Sequence, residues 1–225
     1  MPSRVTMLED LLRSDLLAFI NSNRAGNLPE WSTPAVVIYE DIPDKFFDIR
    51  DVKNVDGSIK CDFGNGEASY FNGDEGHSYL LRFIRYEEFV NQFRIHQADG
   101  SFQDWTRGWS RPDYMAYDIS ENKRCFIIHE LSSGDIRSKH KDGKMQLLKT
   151  VVALCKIPSM KQFFNTFAGR CFCFLSARGC VDATPMGMAD SFMDIYNKLP
   201  DPLPIDNKSI TNRGFLAFET KVVKL

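Results

Sequence analysis

The eight residues Arg124–Leu131, RCFIIHEL, constrain this chain most. An apolar, β-prone run of this length, bounded by polar residues, predicts a central strand. Before it, Asp113–Ile119 alternates. Asp113, Met115, Tyr117 and Ile119 fall on one face and Tyr114, Ala116 and Asp118 on the other. Ser120–Lys123 supplies a polar turn, so the two strands form an antiparallel pair. After the central strand, Ser132–Asp142 reads as a polar, basic loop. Lys144–Lys156 has helical spacing, with Met145, Leu148, Val151, Val152 and Cys155 on its apolar face. Pro158 ends that helix, Met160–Phe167 makes a further short helical piece, and Arg170–Ala177 reads as another strand. Strand, strand, helix, strand predicts an α/β (α+β) architecture with a central mixed β-sheet flanked by helices.

The flanking segments are less sharply written. Val5–Ile20 has helical spacing, and the Asn- and Gly-rich stretch Asn21–Pro29 ends it. Glu9, Asp10 and Asp15 are expected to be solvated charges of that helix, with a site role for one of them as the alternative. Ala35–Tyr39 is a short run of strand type, and Phe46–Phe71 predicts two or three short strands joined by tight turns. In Ser78–Phe93 the first half suits a strand and the second a helix. Trp105 and Trp109 stand among Arg107 and Arg111; they either cover the edge of a core or stack bases. Asp182–Lys198 predicts a helix and Gly214–Leu225 a closing strand.

Composition narrows the function classes. The chain has 225 residues, 43% of them hydrophobic, and a net charge of -2, so it does not coat nucleic acid by bulk positive charge. No apolar run approaches the roughly 20 residues needed to span a bilayer, and the N-terminus lacks the apolar region of a signal peptide. A soluble, cytoplasmic protein with no membrane partner is expected. Cys61, Cys125, Cys155, Cys171, Cys173 and Cys180 form no CxxC pair and read as reduced thiols in apolar segments. No GxSxG, Walker or Rossmann motif occurs, and the four histidines have no triad spacing.

The residues that carry chemistry cluster around the central strand. Asp113 and Glu130, on neighbouring strands, can present two carboxylates to one space, with the Leu131 carbonyl as a third oxygen ligand. A hard cation such as Mg²⁺ or Mn²⁺ takes such ligands while keeping several waters. It then lowers the pKa of a bound water and offsets charge on a phosphate. Alternation turns His129 away from Glu130 and into the sheet packing. Arg137, Lys139, Lys141, Lys144 and Lys149 make a basic cluster in an otherwise slightly acidic chain. They either grip a nucleic-acid backbone or form a solvated loop and helix start.

Pro112-Asp113, the hairpin, the strand ending Glu130-Leu131-Ser132, and the helix carrying Gln146 together resemble the PD-(D/E)XK nuclease superfamily. The resemblance covers Asp113–Ala177. It implies one restriction-endonuclease-like domain over residues 1–225, with its catalytic core at about 111–178. It also implies a divalent-metal-dependent endonuclease cutting DNA, with RNA as the alternative, and leaves a homodimer open. Asp113 and Glu130 take the metal-binding roles. The family's lysine stands two residues after the acid, where this chain has Ser132. Lys144 is the first candidate for a displaced lysine, ahead of Lys139 and Lys141. The other explanation is a catalytically inactive module that binds nucleic acid or a protein partner. Gln146 matches a polar helix position that the family often turns towards the site, and an ordinary solvated glutamine is the alternative.

Overall fold

The computed structural model describes residues 7–52, 57–63, 65–73, 77–120, 123–167, 169–178 and 201–225; the side chains of 133–140 and of 177–178 also lie outside the description. The first helix runs through Leu8–Leu11, a π-helical turn Leu12–Leu16, and Leu17–Asn23. Strands β1 (Tyr39–Ile42), β2 (Phe46–Ile49), β3 (Lys60–Cys61), β4 (Ala68–Phe71) and β5 (Leu81–Arg85) follow. A short helix, Tyr86–Asn91, precedes β6 (Arg94–His96), β7 (Phe102–Asp104), β8 (Tyr114–Asp118) and β9 (Phe126–Asp135). The long helix Ile136–Leu154 and the helix Pro158–Asn165 lead to β10 (Cys171–Arg178). Strand β11 (Leu203–Pro204), helix Lys208–Thr211, β12 (Phe215–Glu219) and β13 (Val222–Lys224) complete the description.

The central sheet has seven strands in the order β1-β5-β8-β9-β10-β12-β11. β8 pairs antiparallel with β9, whereas β9, β10 and β12 run parallel. The expected mixed sheet with flanking helices is therefore present. Alternation divides its side chains as the sequence predicts. Met115 and Tyr117 pack with the helices, while Tyr114 and Ala116 pack on the other side. That other side is covered by a second sheet, β13-β4-β2-β3, through Phe47, Ile49, Tyr70 and Val223. On the helical side, Phe126 meets Phe163, Phe164, Phe167 and Phe215 at ring-centroid distances of 4.8–6.2 Å. This aromatic cluster seats the helix Pro158–Asn165 over the start of β9.

Several expectations are corrected. Ser132–Asp142 is not a loop: β9 continues to Asp135 and the long helix starts at Ile136. The run Ala35–Tyr39 is not a strand, because pairing begins at Tyr39. Ahead of it the Gln92 side chain takes both backbone groups of Val36, at 2.8 and 2.7 Å, as a neighbouring strand would. Gly214–Leu225 is two strands in different sheets, separated at Thr220–Lys221. Glu9 is not solvated; it is buried and bonded to Arg82 at 2.5 Å and to the Tyr117 hydroxyl at 2.6 Å. Asp15 accepts from Ser159 at 2.7 Å and holds two helices together. Cys61, Cys125, Cys155, Cys171 and Cys173 are free thiols; Cys180 and the helix expected over 182–198 lie outside the described residues. No described helix is long and apolar enough to cross a membrane.

His129 is fully buried, on the opposite side of β9 from Glu130. Ser176 donates its only hydroxyl proton to the Thr220 carbonyl at 2.6 Å. Its oxygen must therefore accept from His129 Nε2–H, at 2.8 Å. The bare Nδ1 then accepts from the Tyr70 hydroxyl at 2.6 Å. Burial depresses the His129 pKa to about 3. The folded value lies below the unfolded one, so the contribution to stability is present above about pH 6.5 and is lost as pH falls towards 3. We expect wild type to lose stability between pH 6 and pH 4 more steeply than His129→Gln, by about 1.4 kcal/mol per pH unit. Urea unfolding at a series of pH values checks this, and equal slopes would refute it.

Candidate active site

The site begins with Arg111-Pro112-Asp113, immediately ahead of β8. Proline at 112 biases Arg111 to an extended backbone and delivers Asp113 at the strand's mouth. Asp113 then makes two kinds of contact. Its carboxylate Oδ2 accepts the Leu131 amide proton at 2.5 Å, across to β9. Its main-chain carbonyl accepts the amides of Tyr86 and Glu87, at 3.0 and 3.3 Å. No side chain caps the helix Tyr86–Asn91, so the Asp113 carbonyl takes first-turn donors that would otherwise be orphaned. This cap places Glu87 beside Asp113.

Glu130 lies on β9 with 8% of its surface exposed, and its Oε1 accepts from Gln146 Nε2 at 2.9 Å. One turn earlier the long helix meets the sheet at Gly143. A Cβ there would stand 2.7 Å from Leu175 Cδ1 and 3.5 Å from Glu130 Cγ. Gly143 and Gln146 are three residues apart, so both fall on the helix face turned to the sheet.

Together Glu87, Trp109, Ser110, Arg111, Asp113, Glu130 and Gln146 line a polar cleft of about 280 Å³. Burial pushes the Asp113 pKa up to about 7; the Leu131 amide opposes this, and Glu87 and Asp51 add to it. Burial also raises Glu87, again with help from Asp51, while Asn91 and Arg111 pull it down. Arg111 is the cation on the cleft wall. Its Nη2 bonds Thr106 at 2.9 Å and Asp104 at 3.2 Å, while its buried Nε has no hydrogen-bond partner among the described residues.

The remaining sequence candidates are placed elsewhere or not described. Lys144 Nζ sits 3.6 Å from Glu219 Oε2 on β12, and Lys144 is not among the residues lining the cleft. Lys149 borders a separate cavity, and Lys141 is exposed. The Arg137 and Lys139 side chains lie outside the described residues. Ser132 is buried, and its hydroxyl has no partner among the described residues. Asp118 secures the turn after β8 by accepting from Ser120 and Arg124.

The chain matches no family model, no curated protein and no solved structure. What the site can do is therefore read from its own chemistry. Among the described residues no three His, Cys, Asp or Glu side chains form a ready cation cage. Asp113 and Glu130 are the hard carboxylates of the cleft that could hold a cation which keeps much of its water. The Asp113 carboxyl is raised chiefly by desolvation, with Glu87 and Asp51 adding to it.

Because the folded-state value of Asp113 exceeds the unfolded one, the stability it favours is present below about pH 4 and is lost as pH rises through 7. An asparagine would keep the Leu131 bond without the charge. We expect Asp113→Asn to raise Tm at pH 8 in chelator, and the gain to shrink at pH 5. Added Mg²⁺ should raise the Tm of wild type but not of the variant. Scanning calorimetry reads both effects, and an Asp113→Asn protein less stable than wild type at pH 8 would contradict the assignment.

Proposed function

We propose that this chain is a divalent-metal-dependent nuclease hydrolysing phosphodiester bonds in DNA, with RNA as the alternative substrate. One observation carries it: the carboxylates of Asp113, at the mouth of β8, and of Glu130, on the adjacent antiparallel strand β9, share a polar cleft with the cation Arg111. Asp113 and Glu130 would hold Mg²⁺ or Mn²⁺, with the Leu131 carbonyl as a further oxygen donor. When bound, such an ion lowers the pKa of a coordinated water and offsets charge building on the phosphate.

The chain's own groups do the rest. Gln146 fixes the Glu130 carboxylate by donating to Oε1. The Leu131 amide fixes Asp113 in the same way. Glu87, raised by burial, is the titratable group in the cleft beyond the two ligands, placed to exchange a proton with the reacting oxygens. Arg111 supplies the positive charge that the PD-(D/E)XK pattern draws from a lysine and that Ser132 cannot give. A guanidinium presents planar donors that match a phosphate better than an ammonium does.

A second reading is favoured by one observation. Ser132 occupies the lysine position, is buried, and lies outside the cleft wall. On this reading the chain is an inactive nuclease-like module that binds nucleic acid or a protein partner.

Cleavage of labelled DNA and RNA, single- and double-stranded, in Mg²⁺ or Mn²⁺ separates the two. Asp113→Ala and Glu130→Ala should abolish cutting. Gln146→Leu should lower activity by roughly 10–100-fold, as loss of a ligand-orienting group does. Arg111→Gln should lower kcat with little change in metal affinity, and Lys144→Ala should stay near wild type. Wild type that takes up metal by calorimetry yet cuts no substrate would hand the case to the inactive module.

A further inference from the structure

Beside the acidic cleft lies a larger cavity, of about 510 Å³, that shares Trp109 and Ser110 with it. The two differ sharply in charge. The cleft is walled by Glu87, Asp113 and Glu130, whereas the cavity is bordered by Arg107, Lys149 and Lys156 and by no carboxylate. Between the basic groups its floor is apolar, with Phe19, Leu148 and Val152. In a chain with net charge -2, three cations around an aromatic floor form a local field that attracts an anion carrying a flat apolar group.

Trp109 is built into this wall rather than hung from it. Its amide donates to the Thr106 carbonyl at 2.9 Å, closing a turn in which Gly108 takes φ +82°. That conformation favours glycine over a residue with a Cβ. Thr106 is fully buried, and Asp104 Oδ1 accepts both its amide and its hydroxyl at 2.8 Å. The Trp109 ring rests edge-on against Phe19 at 5.7 Å and 61°. The same Asp104 anchors Arg111 through Oδ2. One carboxylate thus holds the whole segment from the basic cavity to the acidic cleft.

We infer that this cavity is a binding site for an unpaired nucleobase and its flanking phosphates. The base stacks on Trp109, and Arg107, Lys149 and Lys156 neutralise the backbone. A base inside a duplex is stacked on both faces and cannot enter such a pocket, so the preferred ligand is single-stranded or locally opened nucleic acid. The inference deepens the nuclease reading by naming its substrate, and rests on that reading only for the fate of the phosphate in the neighbouring cleft.

Fluorescence anisotropy of the full chain in EDTA tests binding apart from cleavage. The probes are a short labelled oligothymidylate, a duplex of the same length, and a single strand with abasic sites. The intact single strand should bind tightest, with a log–log salt slope of about -2 for three phosphate contacts. Trp109→Ala should weaken it about tenfold, and Trp109→Phe should restore most of the loss. Lys149→Glu with Lys156→Glu should weaken intact and abasic strands alike, whereas Trp109→Ala should leave the abasic strand's affinity unchanged. A duplex that binds as tightly as the single strand, or an intact strand indifferent to Trp109→Ala, would overturn the inference. A wild type that shows the expected binding but never cuts in Mg²⁺ keeps this site and sinks the nuclease reading. A wild type that cuts duplex DNA undiminished by Trp109→Ala does the reverse.

Discussion

The bond from the Leu131 amide to the Asp113 carboxylate organises this molecule more than any other single contact. It carries the β8–β9 pairing past its last ladder rung, at the end where the strand chemistry lies. Through its other face, the main-chain carbonyl, Asp113 also starts the helix that bears Glu87. One residue therefore sets a strand register, a helix origin and the floor of a cleft. The carboxylate it contributes is held where burial and two neighbouring acids disfavour its charge. Strongly perturbed carboxyls cluster at functional sites, which is the physical ground for taking Asp113 as a site candidate.

Much of that centre was legible in sequence because it is local. Asp113, Glu130 and Gln146 fall on elements that periodicity alone identifies, and alternation correctly sent His129 to the far side of β9. What escaped was set by partners distant in the chain. Glu87 joins the site only because a carbonyl 26 residues later caps its helix. Arg111 was noticed as a neighbour of tryptophans, yet its place on the cleft wall comes from Asp104 and Thr106. Lys144, attractive from its position at the helix start, lies near Glu219, a residue in the penultimate described strand. No local rule predicts that a late parallel strand will come alongside.

The architecture shows the same division. The αβ order around β9 follows from hydrophobic patterning. The second sheet does not, because its strands are short and two of them, β4 and β13, pair in parallel across the length of the chain. Its consequence is a core that is aromatic on both sides of the central sheet. The polar groups it encloses, His129 with Tyr70 and Ser176, form a saturated chain in which each hydrogen has one acceptor. A neutral, fully bonded network lies on one side of β9, and on the other lies a cleft where burial raises the carboxyls of Asp113 and Glu87. The strand separates a closed hydrogen-bond network from the polar cleft that holds the candidate site.

Gly143 gives that division a mechanical edge. A Cβ at Gly143 would stand 2.7 Å from a terminal methyl of Leu175 on β10 and 3.5 Å from Glu130 Cγ on β9, so the long helix lies against both strands at this point. A side chain added at 143 would press first on Leu175, one turn before the residue whose amide is bonded to Glu130. Through Gly143 and Gln146, a single face of the long helix thus ties the packing of β10 to the orientation of a carboxylate on β9.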